Sequence, residues 1–152
     1  MNFHARKPVQ ALARWIDKLW ICEGYHPSHR LEFKLPDASL SWIFNLKEDQ
    51  IRVFESNRMD RLVNLPGSII AGPRSSYYYL DTVYQESCMG IQFQPGGALP
   101  FLGNLVGKLK DVDMPLEDGL ARHSHVDDLR TRLQETSAAD ERFQLVEQYL
   151  LR

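Results

Sequence analysis

Two histidines and a glutamate stand at a spacing that could hold a metal ion. His26, His29 and Glu32 follow one another at intervals of three residues. Two imidazole nitrogens and one carboxylate form the protein ligand set of several catalytic zinc sites. Because Pro27 lies between the histidines, this segment is predicted to be a loop, whose geometry the spacing does not define. These three residues carry one alternative hypothesis, a metal-dependent enzyme.

A second pair of histidines offers a weaker site. His123 and His125 are two residues apart, a spacing that places both rings on one face of a strand but about 200° apart around a helix. The surrounding pattern is helical, so we interpret both side chains as solvent-exposed. No metal and no other cofactor is predicted for the chain.

The sequence contains no recognisable nucleophile or phosphate-binding motif. Cys88 follows Ser87, but neither lies in the Gly-x-Ser-x-Gly elbow of hydrolases, and we interpret Cys88 as a small buried side chain. The pair Gly96-Gly97 lacks the Lys-Ser/Thr that follows a phosphate loop, and it is predicted to form a strand-to-helix corner. We therefore expect a protein that is not an enzyme.

Aromatic and polar side chains alternate along the predicted strands. Residues two apart in a strand lie on the same face, so Trp42 and Phe44 share one face and Tyr77 and Tyr79 share another. An aromatic wall with a few polar groups is typical of a small-molecule cavity, and a packed aromatic core is the alternative. The predicted ligand-binding residues are Trp42, Phe44, Asn45, Arg74, Tyr77, Tyr79 and Gln92.

Short strands separated by turns must position these residues. Between Arg30 and Pro95, apolar residues alternate with polar ones, and turn residues such as Pro36-Asp37 interrupt the alternation about every 8–12 residues. This pattern predicts an antiparallel β-sandwich or barrel, including a polar hairpin loop from Lys47 to Gln50. Residues 8–95 are predicted to form a short helix plus the β-barrel, and residues 96–152 a helical annex.

Apolar positions in the helical annex are candidates for a dimer contact. Helical spacing aligns four of them on predicted helix faces, and covering the barrel is their alternative role. The predicted dimer-interface residues are Leu129, Leu133, Val146 and Leu150.

Composition is that of an ordinary soluble domain. The 152 residues are 43% hydrophobic and 25% charged, which fits one domain over residues 1–152. The formal net charge of −2 argues against a general nucleic-acid-binding surface. No apolar run reaches the roughly 18 residues of a membrane span, and no signal-peptide pattern is present. Cys22 and Cys88 are predicted to be free thiols, and the location is predicted to be cytoplasmic.

Four motifs in order resemble a known family. They are Leu35-Pro36-Asp37, Trp42-Ile43-Phe44-Asn45-Leu46, Ala71-Gly72-Pro73 and Gly90-Ile91-Gln92-Phe93-Gln94-Pro95-Gly96-Gly97-Ala98. The ordered set resembles the N-terminal regulatory domain of AraC-type bacterial transcription regulators, in the subgroup whose ligand is not assigned. The segments 115–118 and 146–152 also resemble the region that leads to the DNA-binding part of that family.

The resemblance implies a cupin-like β-barrel followed by helices that dimerise or connect to two helix-turn-helix units. The chain ends at Arg152, where that DNA-binding domain would begin, so we expect contact with DNA only through a domain outside these residues. Either an excised domain or a natural stand-alone version would fit. The strand-borne His-x-His and Glu of metal-binding cupins are absent, so the resemblance implies neither a metal site nor a catalytic residue.

The expected function is therefore effector sensing, dimerisation or both, within a transcription regulator. A small apolar or aromatic effector would enter the barrel, and the chain would act as a homodimer without contact to a membrane. Two alternatives stay open. One is a metal-dependent cupin-type enzyme that uses His26, His29 and Glu32, and the other is a dimerisation domain that binds no ligand.

Overall fold

A computed structural model describes residues 1–54, 61–120 and 125–152 of the chain. Strands form where apolar and polar residues alternate, and helices prevail towards the C-terminus. The strands are β1 (Asn2–Arg6), β2 (Ile16–Glu23), β3 (Leu31–Lys34), β4 (Ser41–Asn45), β5 (Gln50–Phe54), β6 (Leu62–Pro66), β7 (Ser68–Ala71), β8 (Tyr78–Asp81), β9 (Ser87–Phe93) and β10 (Asp113–Pro115). The helices are α1 (Leu99–Leu102), α2 (Leu116–Gly119), α3 (Val126–Glu135) and α4 (Ala139–Leu150), with 3₁₀ segments at Gln10–Leu12, Thr82–Tyr84 and Gly103–Lys108.

Two antiparallel sheets pack face to face. The larger sheet has the strand order β1-β2-β9-β4-β7-β10, and the smaller has the order β3-β8-β5-β6. The sandwich prediction is confirmed, since the strand pairs of the described residues are antiparallel. The prediction of a closed barrel is wrong. Within the same residues, neither edge strand of the larger sheet, β1 or β10, pairs with a strand of the smaller sheet.

The loop after β4 carries the chain from the larger sheet to the smaller one, so it is not the predicted hairpin. Asn45, which is 0% exposed, holds this crossover loop. Its amide donates to the backbone oxygens of Gln50 (2.9 Å) and Tyr84 (2.6 Å). Its Oδ1 accepts the backbone N–H groups of Lys47 and Glu48. The side chain therefore uses its donors and its acceptor in a structural role.

The main hydrophobic core lies on the outer face of the larger sheet, beneath the helices. Trp42 and Phe44 of β4 project into it and are almost completely buried. The residues predicted to form a dimer contact belong to the same core: Leu129, Leu133, Val146 and Leu150. Because these side chains are buried within a single chain, they cover the larger sheet, which is the alternative role that the sequence had left open. Self-association itself stays a prediction.

Local predictions hold where alternation or a chain-breaking residue gives a strong signal. The strands Ser68–Ala71 and Ser87–Phe93 lie within the region predicted to form strands. The corner predicted at Gly96-Gly97 leads into the short helix Leu99–Leu102, which ends at Gly103, whose φ is 59°. The predicted N-terminal helix is only the 3₁₀ segment Gln10–Leu12. Strand β1 was missed, because it is mostly solvent-exposed and its alternation is limited to two apolar residues, Phe3 and Ala5. No helix in the described residues has the length and apolar character required to cross a membrane.

Candidate ligand-binding cavity

A β-bulge in β2 turns a lysine away from the core. Ile16 pairs with Phe93 and Lys18 pairs with Gln92, so Asp17 is an extra residue on this strand. Ile16 is 1% exposed in the main core, whereas Lys18 lines the opposite, inner face of the sheet. Residues two apart in a regular strand share a face. The bulge is therefore what separates these two side chains.

The inner faces of the two sheets enclose a cavity of ≈ 540 Å³. A small apolar cluster fills part of the space between the sheets; its buried members are Ile51, Val53, Leu65 and Ile69. The cavity takes up the rest and is lined by side chains from both sheets. Its volume lies in the range of about 300–1,000 Å³ that is typical of small-molecule sites.

Strand register produces a row of mostly polar side chains across the cavity wall. Lys18 of β2 lies opposite Gln92 of β9, and Gln92 lies opposite Ser41 of β4. The row continues through Ala71 of β7 to Asp113 of β10. All five residues line the cavity, and we call them the polar row.

Three members of the polar row have polar atoms that are available for hydrogen bonds to a ligand. Among the described residues, the side chains of Lys18, Gln92 and Ser41 have no hydrogen-bond or ion-pair partner. Lys18 is half-buried as a residue and lines the cavity, and its ammonium group has no counter-charge among the described residues. Such a group is stabilised by an anion or a hydrogen-bond acceptor.

The neighbouring row on the same wall is apolar. Trp20, Gly90, Ile43 and Ile69 are neighbours across β2, β9, β4 and β7, and we call them the apolar row. The indole ring of Trp20 covers Gly90. Phe3 of β1 stacks on this indole, with ring centres 6.4 Å apart. A flat aromatic surface thus lies beside the polar row.

Arg74 and Asp113 form an ion pair at one end of the polar row. Each side chain is only 8% exposed, and the guanidinium also lies over the ring of Tyr78, 4.4 Å from its centre. Burial raises the pKa of Asp113 above its ordinary value, although the charge and hydrogen bond of Arg74 oppose the change. Burial, followed by the charge of Asp113, raises the pKa of Tyr78. The charge of Arg74 in the cavity wall is therefore compensated by that of Asp113.

The smaller sheet contributes a second compensated pair. Glu32 of β3 accepts hydrogen bonds from the Tyr25 hydroxyl (2.8 Å) and from the Lys34 ammonium (2.9 Å). Burial acts to raise the pKa of Glu32, but these two bonds outweigh it and the pKa is lowered. Burial and the bond to Glu32 raise the pKa of Tyr25 to about 12. The charge of Lys34 is thus matched within the wall.

Two thiols lie on the inner face beyond the apolar row. Cys22 of β2 is directly opposite Cys88 of β9, and both cysteines are free, as predicted. Burial raises the pKa of Cys22 and raises that of Cys88 to about 12. Cys88 is 4% exposed, which matches the small buried side chain expected from the sequence.

Of the residues predicted to bind a ligand, the cavity brings together Arg74 and Gln92. Trp42 and Phe44 share a strand face, as predicted, but it is the outer face, and both side chains belong to the main core. The period of two assigns residues to faces without indicating which face borders a cavity. Trp42 and Phe44 therefore take the core role that the sequence left as an alternative.

The remaining predicted residues also lie away from the cavity lining. Asn45 holds the crossover loop. Tyr77 and Tyr79 pack around Phe33 on the smaller sheet, with ring centres 5.1 and 5.6 Å from that of Phe33. Phe33 is 50% exposed, so this aromatic group is a surface cluster. The aromatic part of the larger sheet's cavity wall comes instead from Trp20.

The residues considered for metal binding do not form a ligand set. Glu32 is engaged by the two hydrogen bonds described above, and Nε2 of His26 lies 3.5 Å from a carboxylate oxygen of Glu86. In the described part of the chain, no three His, Cys, Asp or Glu side chains come together as a metal site requires, so His29 completes no such set. His123 lies outside the described residues.

Lys18, Trp20 and Ser41 are cavity residues that the sequence interpretation missed. The sequence does contain a signal for these residues. The first two buried apolar positions of β2, Ile16 and Leu19, are three residues apart. An odd interval within a strand indicates a bulge. Because a short helix was predicted at the beginning of residues 8–95, this interval was not interpreted as part of a strand, and the inward direction of Lys18 was not predicted.

One family matches the chain. Its description is "Domain of unknown function (DUF6597)", and the match covers residues 4–115, from within β1 to the end of β10. The match therefore includes strands of both sheets and all of the cavity-lining residues except Met1 and Phe3. No curated protein and no solved structure matches the chain.

Proposed function

We propose that this chain, which belongs to the DUF6597 family, is the effector-sensing domain of an AraC-type transcription regulator, the family that its ordered sequence motifs resemble. In this proposal the sandwich is cupin-like, and a small organic molecule binds between its sheets. The observation that carries the proposal is the inter-sheet cavity, in which polar groups without a partner among the described residues lie beside an aromatic surface.

The cavity has the chemical make-up of a binding site. A packed interior would fill the space between the sheets with apolar side chains, as the cluster around Ile51 does. The neighbouring space instead holds Lys18, Gln92 and Ser41, whose polar atoms have no partner among the described residues. Apolar area beside a few convergent polar groups is the usual design of a small-molecule site.

Arg130 of α3 offers a route from the cavity to the helices. Its Nε and Nη2 donate to the backbone oxygens of Asn45 (2.9 Å) and Glu48 (2.7 Å), and its Nη1 pairs with Asp49 (2.7 Å). These acceptors belong to the end of β4 and the crossover loop, which joins the two walls of the cavity. A ligand that favours one arrangement of the sheets would therefore change the position of α3 through this clamp.

The rest of the proposal concerns the whole regulator. The helices would pass the signal to a helix-turn-helix domain outside residues 1–152, which would make the contact with DNA in the cytoplasm. A homodimer is part of the proposal, because two linked domains would place two recognition helices on one operator.

A ligand screen by thermal unfolding tests the proposal. A ligand at about 100 times its Kd stabilises a domain by roughly 2.7 kcal/mol, which raises Tm by about 5 °C or more at this size. We expect at least one metabolite to do so, and Ala71→Phe, which fills the polar row, to abolish the shift. The matched variant Ala11→Phe, at an exposed position, should retain it. A broad library without any stabilising compound would contradict the proposal and favour a dimerisation domain that binds no ligand.

A further inference from the structure

We propose that the ligand of this cavity is a small organic carboxylate with a flat apolar body, and that Lys18 is its counter-ion. This inference rests on the proposed function, because it names the chemical class of the effector. It is carried by the side chains of Lys18, Gln92 and Ser41, which have no partner in the part of the chain that the structure describes, and by their position beside Trp20.

The balance of charge in the cavity favours an anion. Arg74 is compensated by Asp113, and Lys34 is compensated by Glu32. Lys18 has no such partner among the described residues and is half-buried. A carboxylate placed beside it would form a charge-assisted hydrogen bond, which is stronger than one between neutral groups.

Asp37 does not compensate Lys18 in the manner of the Arg74–Asp113 and Lys34–Glu32 pairs, whose members are in direct contact. It is solvent-exposed at the cavity margin, and its Oδ1 accepts the backbone N–H of Ser39 at 2.9 Å. A solvent-exposed carboxylate interacts with a nearby charge more weakly than a buried one does, so a carboxylate bound inside the cavity would be the stronger partner for Lys18.

The polar row also supplies the donors that a carboxylate needs. Adjacent strands lie about 4.8 Å apart, so Lys18, Gln92 and Ser41 span about 10 Å across β2, β9 and β4. The ammonium group, the amide N–H₂ and the hydroxyl all donate hydrogen bonds. A carboxylate has two oxygens with about four acceptor positions, and it can therefore accept bonds from all three groups.

The apolar row defines the body of the ligand. Residues two apart along a strand are separated by about 7 Å, which is the offset between Lys18 and Trp20. A ring placed against the indole of Trp20 and over Ile43 would thus leave a carboxylate on a short linker within reach of Lys18. Aryl- and indolyl-alkanoic acids have this shape, and they fit a cavity of ≈ 540 Å³.

The bulge in β2 is a further argument that Lys18 acts as the counter-ion of a bound ligand. In a regular strand without the bulge, Lys18 would share a face with Ile16, which lies in the apolar core. Bulges often occur where a side chain must be re-aimed towards a site. Here the re-aimed side chain is a cation that finds no protein partner in the described residues.

NMR spectroscopy of the tryptophan indoles provides the test. The chain has three tryptophans, and Trp20→Phe identifies the indole N–H signal of Trp20. The probes are matched acids, amides and amines built on phenylpropyl, indolylpropyl and linear hexyl bodies. We expect at least one acid to shift the Trp20 signal with a Kd about tenfold lower than that of its amide, and the amine to bind more weakly still.

Variants of Lys18 then assign the preference to its charge. Lys18→Met should remove the difference between acid and amide, while Lys18→Arg should retain it and so control for folding. The matched variant Lys108→Met, at an exposed position, should behave as the natural chain does. An acid that keeps its preference in folded Lys18→Met would overturn the role of Lys18.

The remaining outcomes separate this inference from the proposed function. If amides or amines shift the Trp20 signal as strongly as the acids, the cavity binds ligands but the carboxylate class is wrong. If no acid shifts the signal while the thermal screen finds a neutral or cationic ligand, the inference fails and the proposed function stands. If neither experiment finds a ligand, both fail.

Discussion

The indole ring of Trp20 lies directly against the α-carbon of Gly90, its cross-strand neighbour. A Cβ atom built at position 90 would lie 2.1 Å from the ring, well inside van der Waals contact. The absence of a side chain on β9 therefore allows a tryptophan on β2 to lie across the cavity wall. The orientation of Trp20 can therefore be tested by adding a single methyl group at position 90.

Gly90→Ala should displace Trp20 and disturb the cavity. An extra methyl group in a close-packed position costs about 1–3 kcal/mol when neighbours must move, and we expect a loss of unfolding free energy in that range. Urea unfolding measures the loss, and the indole spectrum reports the change at Trp20. Gly107→Ala is the control, because a Cβ there meets no atom within 4 Å. A variant with natural stability and an unaltered Trp20 signal would contradict the close contact.

Arg130→Met should loosen the crossover loop. The guanidinium donates to two backbone oxygens and pairs with Asp49, and its side chain is 13% exposed. Loss of hydrogen bonds from a charged group costs about 1.5–3 kcal/mol, so urea unfolding should show a decrease of that size. Hydrogen exchange should also become faster in the loop. Arg132→Met, an exposed position on the same helix, should change neither quantity.

The same clamp can be tested from its other side. Gly67 lies under the guanidinium, and a Cβ at this position would lie 2.5 Å from the Cζ of Arg130. Gly67→Ala should therefore weaken the clamp and reproduce the faster exchange of the crossover loop. Equal exchange rates in Gly67→Ala, Arg130→Met and the natural chain would show that α3 does not hold this loop.

The stability of the chain should fall as Asp113 ionises. Burial raises its pKa in the folded state above the ordinary value of 3.8. In the pH window between these two pKa values, the folded state binds more protons than the unfolded state, so the free energy of unfolding decreases as pH rises. Asp113→Asn should lack this contribution, and urea unfolding at several pH values measures the difference. Identical pH profiles for the two proteins would contradict the raised pKa.

The two thiols should react slowly and at different rates. Only the thiolate is a nucleophile, and burial raises the pKa of Cys88 to about 12 and raises that of Cys22. At about pH 8, alkylation should be slower than in the unfolded chain, and Cys22, which is less buried, should react before Cys88. Mass spectrometry of Cys22→Ser and Cys88→Ser assigns the two rates. Faster labelling of Cys88 would contradict the burial described here.

The sequence predicts strand positions well where one face of a strand is buried. The alternation of β4 and β9 identifies the two strands and the residues that share each face. The alternation does not show which face borders the cavity, because neither face of these central strands lies on the protein surface. The helices pack on the outer face, and the inner face borders the cavity. Trp42 and Phe44 were therefore assigned to a binding wall, although they form part of the main core.

Other features depend on contacts between distant parts of the chain. The clamp of Arg130 joins residues 81 to 85 positions apart, and no local pattern marks it. Asn45 resembles a ligand-orienting amide in sequence, yet the crossover between the sheets uses its hydrogen-bonding capacity. The inward direction of Lys18 depends on the β-bulge at Asp17, because a bulge shifts the alternation between the two faces of the strand by one residue.

The most direct test of a ligand-binding cavity is the indole NMR spectrum of the chain recorded across a metabolite library. We expect at least one compound to shift the Trp20 signal in a saturable manner, and Ala71→Phe to abolish the shift. Trp42 lies on the outer face of the sheet, so its signal should change much less. If no compound in the library shifts the Trp20 signal, the space between the sheets is not a binding site.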